Sequence, residues 1–222
     1  MNTRGNIIDG KGRLRLAQWD DVLSRLARIF IFWIVYIVLF LTAEQRSGKV
    51  NIIHVPLDDM IPFCEYFIVP YFMWFGLIAA VVAYFALFAQ KDAEYNRLML
   101  NLCLGMVVFL AICYIYPNGL NLRPRLLGTN VFEKMVMFLY KIDTPTNVLQ
   151  SLHVYNTVCC LIAVLKNKFL SSKKAIVYGI WILSVLIILA TMFLKQHSVI
   201  DVVAALALNA VIYKIVYREK TF

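Results

Sequence analysis

Residues 194–213 read "LKQHSVIDVVAALALNAVIY". From Val202 to Tyr213 the stretch is apolar enough for the interior of a membrane helix. Asp201 opens that run, and His197 stands four residues before it. A carboxylate at membrane depth costs at least ~2.5 kcal/mol, so an acid at the mouth of such a helix needs a task that offsets it. On a helix, residues four apart share one face, which puts the acid beside the imidazole.

The rest of the chain shares the apolar character. Of 222 residues, 62% are hydrophobic, and the mean hydropathy is +0.74; an ordinary soluble domain is roughly half apolar. Uncharged runs cover Ile29 to Ala43, Tyr66 to Gln90, Leu98 to Leu122, Thr144 to Leu165 and Ala175 to Leu194. A bilayer core needs about 20 apolar residues per helix. With Ser198 to Val216 as the last, these runs predict an all-α polytopic membrane protein of six transmembrane helices. The whole chain, 1–222, reads as one domain: an N-terminal arm over 1–26 and a six-helix core over 27–216. Leu16, Trp19, Leu23, Leu26 and Phe30 recur at spacings of three and four, so the arm is expected to be an interfacial amphipathic helix. Arg25 and Arg28 are expected to snorkel to the surface. No short apolar region with a small-residue cleavage site comes first, so no cleavable leader is expected.

The net charge of +9 is distributed as a topology signal, not as a nucleic-acid footprint. Most Lys and Arg fall in the arm and in alternate loops, which by the positive-inside rule places both termini in the cytoplasm. The five cysteines lie mostly inside apolar runs, and their spacing fits no zinc site.

With that topology, the outward segments are 44–62, 116–147 and 195–197. "NLRPRL" carries Arg123 and Arg125, "DTPTNVLQSLHV" carries Ser151 and His153, and "LKQHSVID" carries Lys195, His197 and Asp201. Three distant segments thus meet one membrane face. Asp201 can hold the His197 imidazole in one tautomer, the logic of a base and its orienter. His153 is a second imidazole, placed for acid–base work. Arginine grips phosphate in bidentate fashion, and helix N-termini favour anions. Cations, helix N-termini and two imidazoles together specify a phosphate ester. His54 is expected to be an interfacial polar residue. Asp58 and Asp59 are expected to be solvated, and Asp143 and Asn147 to be turn and cap residues. A proton- or ion-relaying transporter is the competing class. It would place polar groups near the midplane, often with inverted repeats, and neither feature is read here.

These motifs resemble the type 2 phosphatidic acid phosphatase superfamily of lipid phosphatases and head-group transferases. Its three motifs are Lys, six residues, Arg-Pro; Pro-Ser-x-His; and Ser-Arg, five residues, His, three residues, Asp. Here Arg123-Pro124, Gln150 to His153, and His197 to Asp201 match in order, over the chain from the third span to the sixth. Tyr116 stands in place of the first Lys, Gln150 in place of Pro, and Ala190-Thr191 in place of Ser-Arg, so two phosphate-binding cations of the pattern are missing. The flanks look more like the inositol-phosphotransferase-like branch.

The resemblance implies that His197 attacks phosphorus to form a phosphohistidine, that Asp201 orients it, and that His153 protonates the leaving alkoxide. Arg123, Ser151 and helix N–H groups would hold the phosphoryl oxygens, with Arg125 as a helper and Lys195 replacing part of the missing cation set. No metal or cofactor is implied. The expected substrate is a phosphorylated lipid in a bacterial plasma membrane, with the site facing outward. Short outer loops favour hydrolysis over head-group transfer, the alternative.

Overall fold

The computed structural model describes residues 17–45 and 48–218. Within them the chain forms α1 (Trp19–Glu44), β1 (Asn51–Ile52), α2 (Pro56–Met60), a 3-10 turn at Glu65–Phe67, α3 (Ile68–Phe88), α4 (Asp92–Ile115), β2 (Asn118–Gly119), α5 (Val131–Ile142), α6 (Leu152–Lys166), α7 (Lys168–Ser171), α8 (Lys174–Phe193) and α9 (Val199–Val216). Among the described residues, five helices are long and apolar enough to cross a membrane: α1, α3 with its leading turn, α4, α8 and α9. They mark an integral membrane protein. The only strands among these residues are the two-residue segments β1 and β2, paired in parallel, which clip two loops together.

The fourth apolar run behaves differently from the others. Its helix, α6, has only 15 residues, a rod of about 22 Å against a hydrocarbon core of about 30 Å. The reason is its place: α6 packs against α3, α4, α8 and α9, and Val154, Tyr155, Cys159 and Cys160 are wholly buried. A helix surrounded by protein need not reach across lipid, because non-helical backbone is tolerated where protein surrounds it. The chain before it stays irregular, yet several of its backbone N–H groups are paired. Asn118 Oδ1 accepts the Val148 and Leu149 N–H groups, and its carbonyl accepts the Asn147 N–H. Close packing of α4 on α6 is set by Gly105, where an added Cβ would lie 2.0 Å from the Tyr155 ring.

The N-terminal expectation is partly redrawn. Residues 1–16 lie outside the described residues, and the boundary at 26 is not visible, because α1 runs unbroken from Trp19 to Glu44. Trp19, Leu23, Leu26 and Phe30 form its exposed face. Arg25 does not snorkel. It is buried, and its guanidinium donates to the carbonyls of Phe85, Ala86 and Ala89 and pairs with Asp92 at 2.7 Å. The last carbonyls of α3 lack intrahelical partners, and a buried arginine supplies the donors.

Candidate active site

The site lies at the bundle end shared by the C-termini of α1, α4 and α8 and the N-termini of α3, α6 and α9. His197 sits in the tight turn between α8 and α9. That turn needs Lys195 at φ +53°, and Thr191 O accepts the N–H groups of Gln196 and His197. Ser198 then caps α9 in a capping box with Asp201, whose Oδ2 accepts the Ser198 N–H at 2.8 Å. The cap fixes the acid beside the imidazole: His197 Nδ1 lies 3.5 Å from Asp201 Oδ2. That is ion-pair range, longer than a hydrogen bond, and Nδ1 has no hydrogen-bond partner among the described residues. With Nδ1 facing Asp201, Nε2 is the ring nitrogen left for other work.

His153, in the first turn of α6, brings its ring centroid within 5.8 Å of that of His197. The Tyr71 and Trp74 rings flank it at 4.6 and 4.3 Å. Both histidines line a cavity of about 370 Å³ whose walls are Trp33, Tyr36 and Phe40 of α1, Phe72 and Phe75 of α3, and Phe109 of α4. Its polar end carries Glu44, Asp143, Asn147 and Gln196 as well. Size and lining suit a ligand with an apolar body and a polar head.

The structure thus brings His153, His197 and Asp201 together. The expected phosphate-binding side chains are placed otherwise. Ser151 is fully buried, and its Oγ accepts the Val154 N–H as the cap of α6. Arg125 is exposed on its loop. Lys195 is buried, and its ammonium donates to the carbonyls of Asp58, at 2.7 Å, and Ile61. It does not line the cavity, so its expected role as a phosphate-binding cation is replaced by one of tying α2 to the α8–α9 turn. Arg123 stacks over the Tyr140 ring at 4.4 Å and donates to the carbonyls of Tyr140 and Asp143 and to Gln196 Oε1. It stands one residue behind the cavity and touches it through Gln196. Burial lowers the pKa of its guanidinium, and the Asp143 charge raises it again.

One of the acids departs from expectation. Asp58 is 2% exposed, not solvated. Its carboxylate accepts the Ser198 hydroxyl at 2.6 Å and the Val199 N–H at 2.8 Å, so the anion on the N-terminus of α9 is the protein's own. Asp59 stays exposed and meets His54 at 3.0 Å. Asp143 ends α5, where its Oδ2 accepts from the Tyr71 hydroxyl at 2.8 Å and the Gln196 amide at 3.2 Å. Glu44 was not singled out from sequence. It ends α1 and accepts from Thr144 at 2.5 Å, Thr146 at 3.2 Å and Asn147 at 2.5 Å; its only sequence signal is being the first charge after an apolar run. Asn147 is a partner of Glu44 and not a helix cap.

Comparison with family models, with curated proteins and with solved structures finds no match for this chain.

Proposed function

We propose that the protein is an integral membrane phosphatase that removes the terminal phosphate of a phosphorylated lipid through a phosphohistidine at His197. The observation that carries the reading is the pair of imidazoles, with ring centroids 5.8 Å apart, at the polar end of an aromatic cavity, with Asp201 behind one of them. In this mechanism His197 Nε2 attacks phosphorus, the phosphorus–oxygen bond to the lipid breaks, and His153 gives its proton to the leaving alkoxide. Asp201 stabilises the positive charge that develops on His197. Water, deprotonated by His153, then attacks the phosphohistidine and releases inorganic phosphate. Apo contacts at such sites run long and tighten with substrate, which accommodates the 3.5 Å separation. Arg123 contributes positive charge by way of Gln196. In the accompanying topology α6 is a sixth, protein-enclosed crossing, both termini are cytoplasmic and the site faces outward.

The test is phosphate release by purified protein in detergent, given phosphatidic acid, phosphatidylglycerol phosphate or an isoprenyl diphosphate, with no alcohol acceptor and with chelator present. Repeated turnover is expected. His197→Ala should lower it by roughly 10⁴-fold, the scale of losing a triad member, and abolish the phosphoenzyme. His153→Ala should hurt the lipid ester more than an ester with an acidic leaving group, which needs little protonation. At most one phosphate per enzyme, with turnover restored by an added alcohol, would overturn hydrolysis in favour of head-group transfer.

A further inference from the structure

We infer that the cavity selects a lipid phosphate that carries a hydroxyl close to its phosphate ester, and that Asn156 is the residue that recognises it. The inference rests on the proposed placement of the phosphoryl group at the two histidines. Asn156 follows His153 by three residues on α6, so the two share a helix face. It lies about 4.5 Å further along the axis, deeper in the bundle. Both residues line the cavity. Asn156 is 5% exposed, and its Oδ1 has no hydrogen-bond partner among the described residues. A buried polar group left without a partner is costly. Much of the surrounding wall is apolar, from Phe40, Phe75, Met106 and Phe109, and such side chains offer an amide nothing.

Trp74 repeats the pattern. Its ring lies 4.3 Å from that of His153, it lines the same cavity, and its Nε1–H is buried without an acceptor among the described residues. An acceptor and a donor are thus both unused beside the histidine proposed to protonate the leaving alkoxide. A hydroxyl donates and accepts at once, and it satisfies a side-chain amide in either of the amide's orientations. An ester carbonyl only accepts, and a saturated or isoprenyl chain does neither. Phosphatidic acid and an isoprenyl diphosphate have no hydroxyl in their apolar part, so either would bury the Asn156 amide unpaired. A site built to hydrogen-bond a substrate hydroxyl rejects the analogue that lacks it.

The test compares octanoyl lysophosphatidic acid, which has a free hydroxyl on the carbon next to the one bearing the phosphate, with its 2-deoxy analogue, which lacks only that oxygen. Phosphate release by the full-length protein in a neutral maltoside detergent gives kcat/KM for each lipid. Calorimetry on His197→Ala, in which turnover is expected to be lost, gives Kd for each. The hydroxylated lipid should be favoured about tenfold in both measurements, the scale of one buried hydrogen bond. Asn156→Leu should bring the ratio to within about twofold, and Asn156→Ala serves if the leucine variant does not fold. A ratio within about twofold in protein that keeps Asn156, or a larger ratio that persists in either folded variant, overturns the inference. If neither variant folds, the ratio with Asn156 in place decides. No phosphate release with the binding ratio intact sinks the catalytic proposal alone. Release from both lipids at equal kcat/KM and equal affinity sinks this inference alone.

Discussion

Asp58 accepts three hydrogen bonds, from the Val55 N–H, the Ser198 hydroxyl and the Val199 N–H, all between 2.6 and 2.9 Å. Removing the carboxylate leaves buried donors unpaired, each costing ~1–3 kcal/mol. Asp58→Ala is therefore expected to destabilise the protein by about 2–4 kcal/mol in detergent unfolding curves, while Asp59→Ala stays within ~0.5 kcal/mol. Equal effects would mean that α2 does not hold the α8–α9 turn. Sequence could not separate the two acids, because they are adjacent and chemically alike. What separates them is a contact with Ser198, 140 residues away. The placement of Lys195 is hidden for the same reason, since nothing in "LKQHS" reveals that the carbonyls of Asp58 and Ile61 will take its ammonium. The His197–Asp201 pairing was legible from its spacing, although it is made by the capping box of Ser198 and Asp201 and not by a shared helix face, since His197 precedes α9.

At the scale of elements, α6 is the hub, and its contact with α4 depends on a missing side chain. The Tyr155 ring fills the space that a Cβ on residue 105 would need, and its hydroxyl is anchored on Asn101 Oδ1 at 2.8 Å. Gly105→Ala is expected to cost about 1–3 kcal/mol through overpacking. Adding Tyr155→Ala should give less than the sum of the two losses, since the clash is shared. Strict additivity in unfolding midpoints would show that the helices do not meet there. Apolar runs revealed the long helices, but not that one of them is an enclosed 15-residue rod, because hydropathy reports on lipid and protein surroundings alike. Helix α5 carries a readable start signal in the sequence: Asn130 with Glu133 three residues on is a capping-box pattern, and Asn130 Oδ1 accepts the Glu133 N–H at 2.9 Å.

At the scale of the whole molecule, the proposed orientation makes the α5 loop external and the α7 loop cytoplasmic. Leu127 is 77% exposed and Ser171 is exposed. In a background with the five cysteines replaced, an impermeant thiol reagent added to intact cells should label Leu127→Cys and spare Ser171→Cys. The reverse pattern would put the histidines on the cytoplasmic side. The grouping of distant polar segments at one end of the bundle was legible once the spans were counted, because successive crossings alternate direction. How the cations were spent was not, because that depends on which carbonyls and rings the loops bring to them.

Helix α1 has a mechanical character that follows from its two attachments. Near one end Arg25 is locked into the carbonyls closing α3, and at the other Glu44 is held by Thr144, Thr146 and Asn147. The two points are roughly five helical turns apart. Between them Trp33, Ile37 and Phe40 face the cavity. A beam clamped at both ends yields most at mid-span, which is where its side chains line the cavity. One of the clamps, Glu44, also lines the cavity. Whatever competes with Thr144, Thr146 and Asn147 for the Glu44 carboxylate therefore loosens that end of the beam as well.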